Sequence, residues 1–216
     1  TIGEFDYDYL VLAIGCKTNF FGNQNISKHA FTLKSTYDGI GIRNHILQTF
    51  ENIISANEIE KESLLNLVIV GAGPTGVELA GALCELKKHV LPNDYPELDF
   101  RKMRVLLIEG TNTVLQAMSK VNQHRALKYL EELGCEVWLE TQVSSYNGEE
   151  VVFKNNKVLP SKNLLWAAGI KGVTISGLSD DALNNRGRYI VDEYCKIKGY
   201  ENIFALGDIA SMESEK

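Results

Sequence analysis

Residues 67–83 read LVIVGAGPTGVELAGAL. Four apolar residues run into Gly71, Gly73 and Gly76, spaced G-x-G-x-x-G, and the chain then turns amphipathic. No other stretch restricts the fold as strongly. A buried strand, a tight glycine turn and a helix in direct succession form the first part of a parallel β-α-β unit. Each glycine has a physical purpose there. Gly71 permits the tight turn, Gly73 lets a pyrophosphate approach the backbone, and Gly76 lets the helix pack close to the sheet. The helix N-terminus then offers unpaired N–H groups and a partial positive charge to phosphates.

The residues downstream keep the same rhythm. The pattern predicts a helix over 75–89, with Leu79, Leu83, Leu86 and Val90 on one side, and a second strand at RVLLIEG (104–110). A helix over 119–133 uses Val121, Leu127, Leu130 and Leu133, with Gly134 at C′, before a third strand at 135–139. Alternating strands and helices imply an α/β, Rossmann-like domain. The pattern then changes. Asn147-Gly148 and Asn155-Asn156 separate short β-rich runs, which predicts an antiparallel three-stranded excursion. A return strand is expected at 163–169.

Upstream, YLVLAI (9–14) reads as a short buried strand closed by Gly15, and a polar loop follows over 15–25. A helix is expected from about 37 to 56, with Ile40, Leu47 and Phe50 along one stripe and Ile46 and Ile53 beside it. The charged NEIEKES (57–63) reads as a linker or domain boundary. Beyond 170 the chain is loop-rich, with a short strand at 189–192 and a buried strand at 202–208 ending on Gly207-Asp208.

Glu109 closes the second strand. In a dinucleotide-binding unit an acid there accepts hydrogen bonds from the adenosine ribose hydroxyls and repels a 2′-phosphate, which favours NADH over NADPH. It stands 38 positions after Gly71, against a usual offset of about 20. The segment KKHVLPNDYPELDFRKM fills the difference as an insertion. A net charge of −6 without a Lys/Arg cluster argues against a nucleic-acid surface. Cys16, Cys84, Cys135 and Cys195 form no CxxC pair and read as small hydrophobes of a reducing compartment. His29, His45, His89 and His124 share no ligand spacing, so no metal is expected. No apolar run reaches the roughly 18–20 residues of a membrane span. The opening has no signal-peptide layout, and its abrupt start in a strand implies a piece of something longer.

Together VIVGAGPTGVELAGAL, LLWAAGIKG, NIFALGDIA and YDYLVLAIGCKTNFFG resemble the two-dinucleotide-binding flavoproteins of the pyridine nucleotide-disulphide oxidoreductase superfamily. More narrowly the chain is similar to type II NADH:quinone oxidoreductases, whose linking helix LKSTYDGIGIRNHILQTFENI resembles. The resemblance implies an NAD(H)-binding domain, 58–169, inserted in an incomplete FAD-binding domain. Residues 1–57 would be the end of its first segment plus the linking helix, and 170–216 the start of the returning segment. It further implies NADH contacts at Gly71, Gly73, Pro74, Thr75, Gly76, Glu78, Glu109, Ala168 and Gly169. Gly15, Gly207 and Asp208 would lie by FAD.

The implied reaction passes hydride from NADH to FAD and electrons on to a quinone, in a respiratory enzyme peripheral on the inner, cytoplasmic membrane face. No side chain is assigned as catalytic acid, base or nucleophile. The piece in hand is expected to fold its NAD domain, to bind FAD poorly, to make no membrane contact and not to turn over by itself; a homodimer is a further expectation. Two other readings stay open. One is a ferredoxin- or rubredoxin-type NADH reductase of the same superfamily; the other is a non-redox NAD(H)-binding module. Plain structural readings also remain: Glu78 as an exposed or capping residue in the first helical turn, Ala168-Gly169 as tight packing, and Gly207-Asp208 as a strand-end turn.

Overall fold

The computed structural model describes residues 3–212. The chain divides into two units: Phe20–Gly169, and the flanking segments up to Asn19 and from Ile170. The leading segment carries β1 (Leu10–Leu12) and β2 (Cys16–Thr18). The first-named unit then runs α1 (Gln24–His29), β3 (Phe31–Thr32), α2 (Thr36–Ser55), α3 (Glu58–Leu65), β4 (Asn66–Val70), α4 (Pro74–Glu85) and α5 (Leu91–Asp94). It continues with β5 (Arg104–Ile108), α6 (Lys120–Glu132), β6 (Glu136–Trp138), β7 (Val143–Tyr146), β8 (Glu150–Phe153), β9 (Val158–Pro160) and β10 (Asn163–Trp166). The returning segment holds β11 (Ile170–Gly172), β12 (Tyr189–Val191), β13 (Ile203–Ala205) and β14 (Ala210–Met212).

A five-stranded parallel sheet in the order β3-β10-β4-β5-β6 organises the larger unit. Its centre reads as unbroken apolar runs because both faces are covered. Leu67 and Ile69 of β4 point to a core shared with α2, α4 and α6. Val68 and Val70 point the other way, with Leu106, Ile108 and Trp166, towards Tyr146, Val151 and Phe153. Those three belong to the antiparallel sheet β7-β8-β9, the expected excursion. Its turns use the residues the sequence singled out: Gly148 at φ +98° and Asn156 at φ +64°.

At the amino edge of the parallel sheet a buried polar lock ties four elements together. Asn163 Oδ1 accepts from His45 Nε2 at 2.9 Å and Thr49 Oγ1 at 3.1 Å, while its Nδ2 donates to the Leu64 carbonyl at 2.8 Å. Ser161 Oγ donates to the Asn66 carbonyl at 2.7 Å and accepts from Asn163 N. With its donors and acceptors matched, this side chain is buried without an orphaned group.

Several expectations are corrected. NEIEKES is not a linker: Asn57 caps α3 in a capping box with Glu60, an N-x-x-E pattern legible in the sequence. The stripe of α2 is rotated from the expected one. Ile42, Ile46, Thr49, Phe50 and Ile53 are buried, whereas Ile40 and Leu47 are exposed. The polar loop 15–25 contains β2 and the start of α1. Residues 20–57 pack with the glycine loop in one compact unit, Phe20–Gly169, and the buried face of α2 lies in its core. The return strand stops at Trp166, and the chain leaves the sheet over 167–169.

The inserted segment after α4 is folded. A wide π turn over Leu86–Val90 leads into α5, and Leu91, Phe100 and Met103 enter the same core as Phe50. Phe100 meets Phe50 edge-on at 5.6 Å. Cys16, Cys84 and Cys135 are buried, and Cys195 is half-buried at φ +64°. Among the described residues no helix is long and apolar enough to cross a membrane, and no three His, Cys, Asp or Glu gather as metal ligands.

Two predictions follow from α2. Phe50→Ala should cost about 3–5 kcal/mol in urea unfolding, while Leu47→Ala, on the exposed stripe, should stay within roughly 0.5 kcal/mol. The Asp38 carboxylate accepts the amides of Lys34 and Ser35, each at 2.9 Å, and these bonds hold its pKa below the ordinary aspartate range. Its contribution is therefore present above the ordinary value and lost as pH falls through the lowered one. Asp38→Asn should flatten the stability-against-pH curve below about pH 4, measured by thermal unfolding.

Candidate functional site

The carboxyl edge of the parallel sheet collects most of the expected residues. Gly71 leaves β4 at φ +104°, its N–H donating to the Ile108 carbonyl at 2.8 Å. A Cβ there would lie 2.7 Å from the Ala168 backbone, closer than real Cβ atoms come. A Cβ on Gly76 would collide with the Gly71 carbonyl oxygen. The start of α4, the end of β4 and the segment after β10 are thus in backbone contact. A Cβ at Gly73, by contrast, would meet nothing within 4 Å, so the backbone there faces open space.

Gly73 is the N-cap of α4 and no side chain caps it. Pro74 at N1 supplies no N–H, and Val77 N already donates to the Gly73 carbonyl at 3.0 Å. The amides of Thr75 and Gly76 are the ones helix geometry leaves without an intrahelical acceptor. Pro74 and Thr75 are exposed, so an anion can reach this end of the helix dipole.

Glu109 follows β5 directly. Its Oε2 accepts the Ala72 amide at 2.8 Å and its Oε1 accepts the Thr111 amide at 2.9 Å. Two backbone donors hold the carboxylate against the glycine loop. Each oxygen keeps further lone-pair capacity for a hydroxyl. The half-buried Glu109 lines a cavity of about 610 Å³ with Gly71, Gly110, Gln142, Lys154 and Ala168. That lies within the roughly 300–1,000 Å³ of small-molecule sites. Its apolar wall is aromatic: Phe20 stacks on the nearly buried Trp166 with ring centres 6.0 Å apart. Phe20, Phe21, Gln142 and Lys154 were not singled out from the sequence. The only signal was the pair of aromatics inside a loop that otherwise reads as polar.

Gly169, at φ +90°, leaves the edge under the Phe21 ring; a Cβ there would lie 3.2 Å from Phe21 Cζ. Glu78 lies on α4 itself. It is the fifth residue of that helix, beyond the first turn, and exposed. In the other unit, β1 and β13 run parallel, Leu10 beside Ile203. Their carboxyl ends bring Gly15 and Gly207 together, at φ +67° and +73°, each with open space where a Cβ would be. Cys16 Sγ donates to the Asp208 carbonyl at 3.1 Å, which leaves the Asp208 carboxylate at the surface. A polar groove of about 460 Å³ at the opposite edge of the parallel sheet is lined by His45, Thr49 and Lys162. The groups there are engaged in the lock around Asn163.

Gly76 and Gly73 should respond differently to substitution. Gly76→Ala should destabilise by about 1–3 kcal/mol or more, because backbone must move. Gly73→Ala should stay within roughly 1 kcal/mol. Chemical denaturation of the two variants checks the contrast.

Comparison with known proteins fits this geometry. Residues 2–216 match the pyridine nucleotide-disulphide oxidoreductase family. The chain is 33% identical to the type II NADH:quinone oxidoreductase Ndh of Mycobacterium tuberculosis over 216 residues, covering 96% of this chain and 47% of that protein. It is 28% identical to a probable NADH dehydrogenase of Dictyostelium discoideum, covering 98% and 48%. The solved structure of NDH2 from Plasmodium falciparum in complex with NADH superposes with a TM-score of 0.86 at 26% identity, over 96% of this chain and 45% of that one. The chain spans about half the length of the curated relatives it matches. The glycine loop, the acid at the end of the second strand and the family match agree: the chain belongs to the pyridine nucleotide-disulphide oxidoreductase family.

Proposed function

We propose that this chain is the NADH-binding half, with part of the FAD-binding half, of a type II NADH:quinone oxidoreductase. The observation that carries the reading is the Glu109 carboxylate fixed to the Ala72 amide, beside the unobstructed backbone at Gly73. The amides of Thr75 and Gly76 bond the dinucleotide's pyrophosphate, and the α4 dipole adds to its hold. Glu109 accepts the adenosine ribose hydroxyls and disfavours a 2′-phosphate. Phe20 and Trp166 keep water from the inner wall of the cavity. Ala168 and Gly169 lie towards the nicotinamide end of the edge, with Glu78 exposed on the neighbouring helix.

The donor set and space suit both cofactors. Gly15 and Gly207 leave room for a flavin nucleotide to approach the strand ends, and Asp208 is free to bond its ribityl chain. When bound, the two cofactors supply hydride transfer from reduced nicotinamide to flavin, and the electrons then pass to a quinone. The protein contributes binding, orientation and a shielded wall; no side chain described here is required as acid, base or nucleophile. The exposed Val11 on β1, and Tyr9 just before it, support a flavin-binding part larger than the strands present, since parallel sheets are normally covered on both faces. In this reading 58–169 and the linking helix α2 serve NADH, while the leading and returning segments serve FAD.

Calorimetric titration of the chain with NADH should show saturable binding, tighter than with NADPH. Glu109→Ala should weaken NADH by about 10- to 100-fold, the weight of lost charged hydrogen bonds. Gly73→Val should weaken it by at least about tenfold by filling the pyrophosphate approach. Absence of NADH binding by the unaltered chain would overturn the reading.

A further inference from the structure

Two charged side chains, Glu109 and Lys154, line the cavity beside the glycine loop. Backbone amides occupy both oxygens of Glu109. Lys154 forms no ion pair among the described residues. Nearby Lys157, in contrast, sits over the Trp138 ring at 4.1 Å.

The place of Lys154 is set by main-chain bonds rather than by its own side chain. Thr141 N donates to the Glu109 carbonyl at 2.9 Å, and Lys154 N donates to the Gln142 carbonyl at 2.9 Å. The segments after β5, β6 and β8 are stitched side by side in that order. Lys154 also lines an adjoining recess of about 300 Å³ with Glu140, Thr141 and Gln142. An ammonium group therefore shares its surroundings with two carboxylates, Glu109 in the cavity and Glu140 in the recess, yet among the described residues it pairs with neither at salt-bridge distance.

We propose that Lys154 is a specificity-determining residue that supplies the counter-charge for a phosphate on the adenosine ribose. The chain then accepts NADPH beside NADH to a degree that Glu109 alone would forbid. This rests on the dinucleotide reading of the cavity. Glu109 opposes a 2′-phosphate by like charge. A lysine ammonium is a compact point charge with three donors, so it meets a phosphate without the fixed fork an arginine would need. Discrimination is the difference between these two effects. Its direction comes from Glu109 and its size from Lys154.

The readout is the ratio of the NADPH and NADH dissociation constants, measured by nicotinamide fluorescence on the chain. Lys154→Met should shift the ratio about tenfold against NADPH. Lys154→Arg should hold it within about threefold, and Lys157→Met, outside the cavity, should not move it. In a Glu109→Gln background NADPH binding should improve, and adding Lys154→Met should remove that gain. An unchanged ratio in Lys154→Met, with NADH still bound, overturns the inference and leaves the dinucleotide reading standing. Failure of the unaltered chain to bind NADH overturns the dinucleotide reading and this inference with it.

Discussion

No side chain fits at Gly71 or Gly76, and the carboxyl edge of the sheet is built on that constraint. The two positions bring three backbones together: the end of β4, the first turn of α4 and the segment after β10. Such closeness aims the α4 amides across the sheet edge and places Glu109 within hydrogen-bond reach of Ala72. A methyl group at either glycine would push these elements apart. Gly73 is constrained differently, because nothing of the protein lies where its Cβ would be. Two glycines serve packing, and the third keeps space open.

The two edges of the parallel sheet have opposite characters. At the amino edge, Asn163, Ser161, His45 and Thr49 satisfy one another and the ends of β4 and α3. That edge is closed by its own hydrogen bonds, and an unmatched partner there would carry a desolvation cost of about 1–3 kcal/mol. At the carboxyl edge helix geometry leaves the first α4 amides without intrahelical acceptors, Glu109 has capacity for further bonds, and Lys154 forms no ion pair among the described residues. Unsatisfied groups gathered at one end of a well-packed sheet are a binding site by their chemistry. The topology agrees, since ligands of parallel sheets bind at the carboxyl ends of the strands.

The long offset between the glycine loop and Glu109 has a packing explanation. The inserted residues sit as a π turn, a short helix and a 3₁₀ turn whose Leu91, Phe100 and Met103 join the core around Phe50. Inserted chain that buries apolar side chains offsets the entropy of its own ordering. The register of β5 beside β4 is unaffected, Leu67 against Val105, and the acid arrives at the same edge.

The glycine spacing, the alternation of apolar runs with amphipathic stretches, and the Asn-Gly and Asn-Asn turns determined the α/β class, the site's glycines and its acid. These signals are local: each is written within one element and its flanking turn, where propensity and steric limits act without help from the rest of the chain. Tertiary structure alone decided which stripe of α2 is buried, because Ile40 and Leu47 are as apolar as Ile42 and Ile46 and only the partner surface distinguishes them. It also decided that 20–57 joins the glycine-loop unit, and that Phe20, Gln142 and Lys154, far apart in sequence, share a wall with Glu109. Long-range convergence of this kind leaves no periodic trace in the sequence, since it depends on how finished strands and loops are stitched to one another.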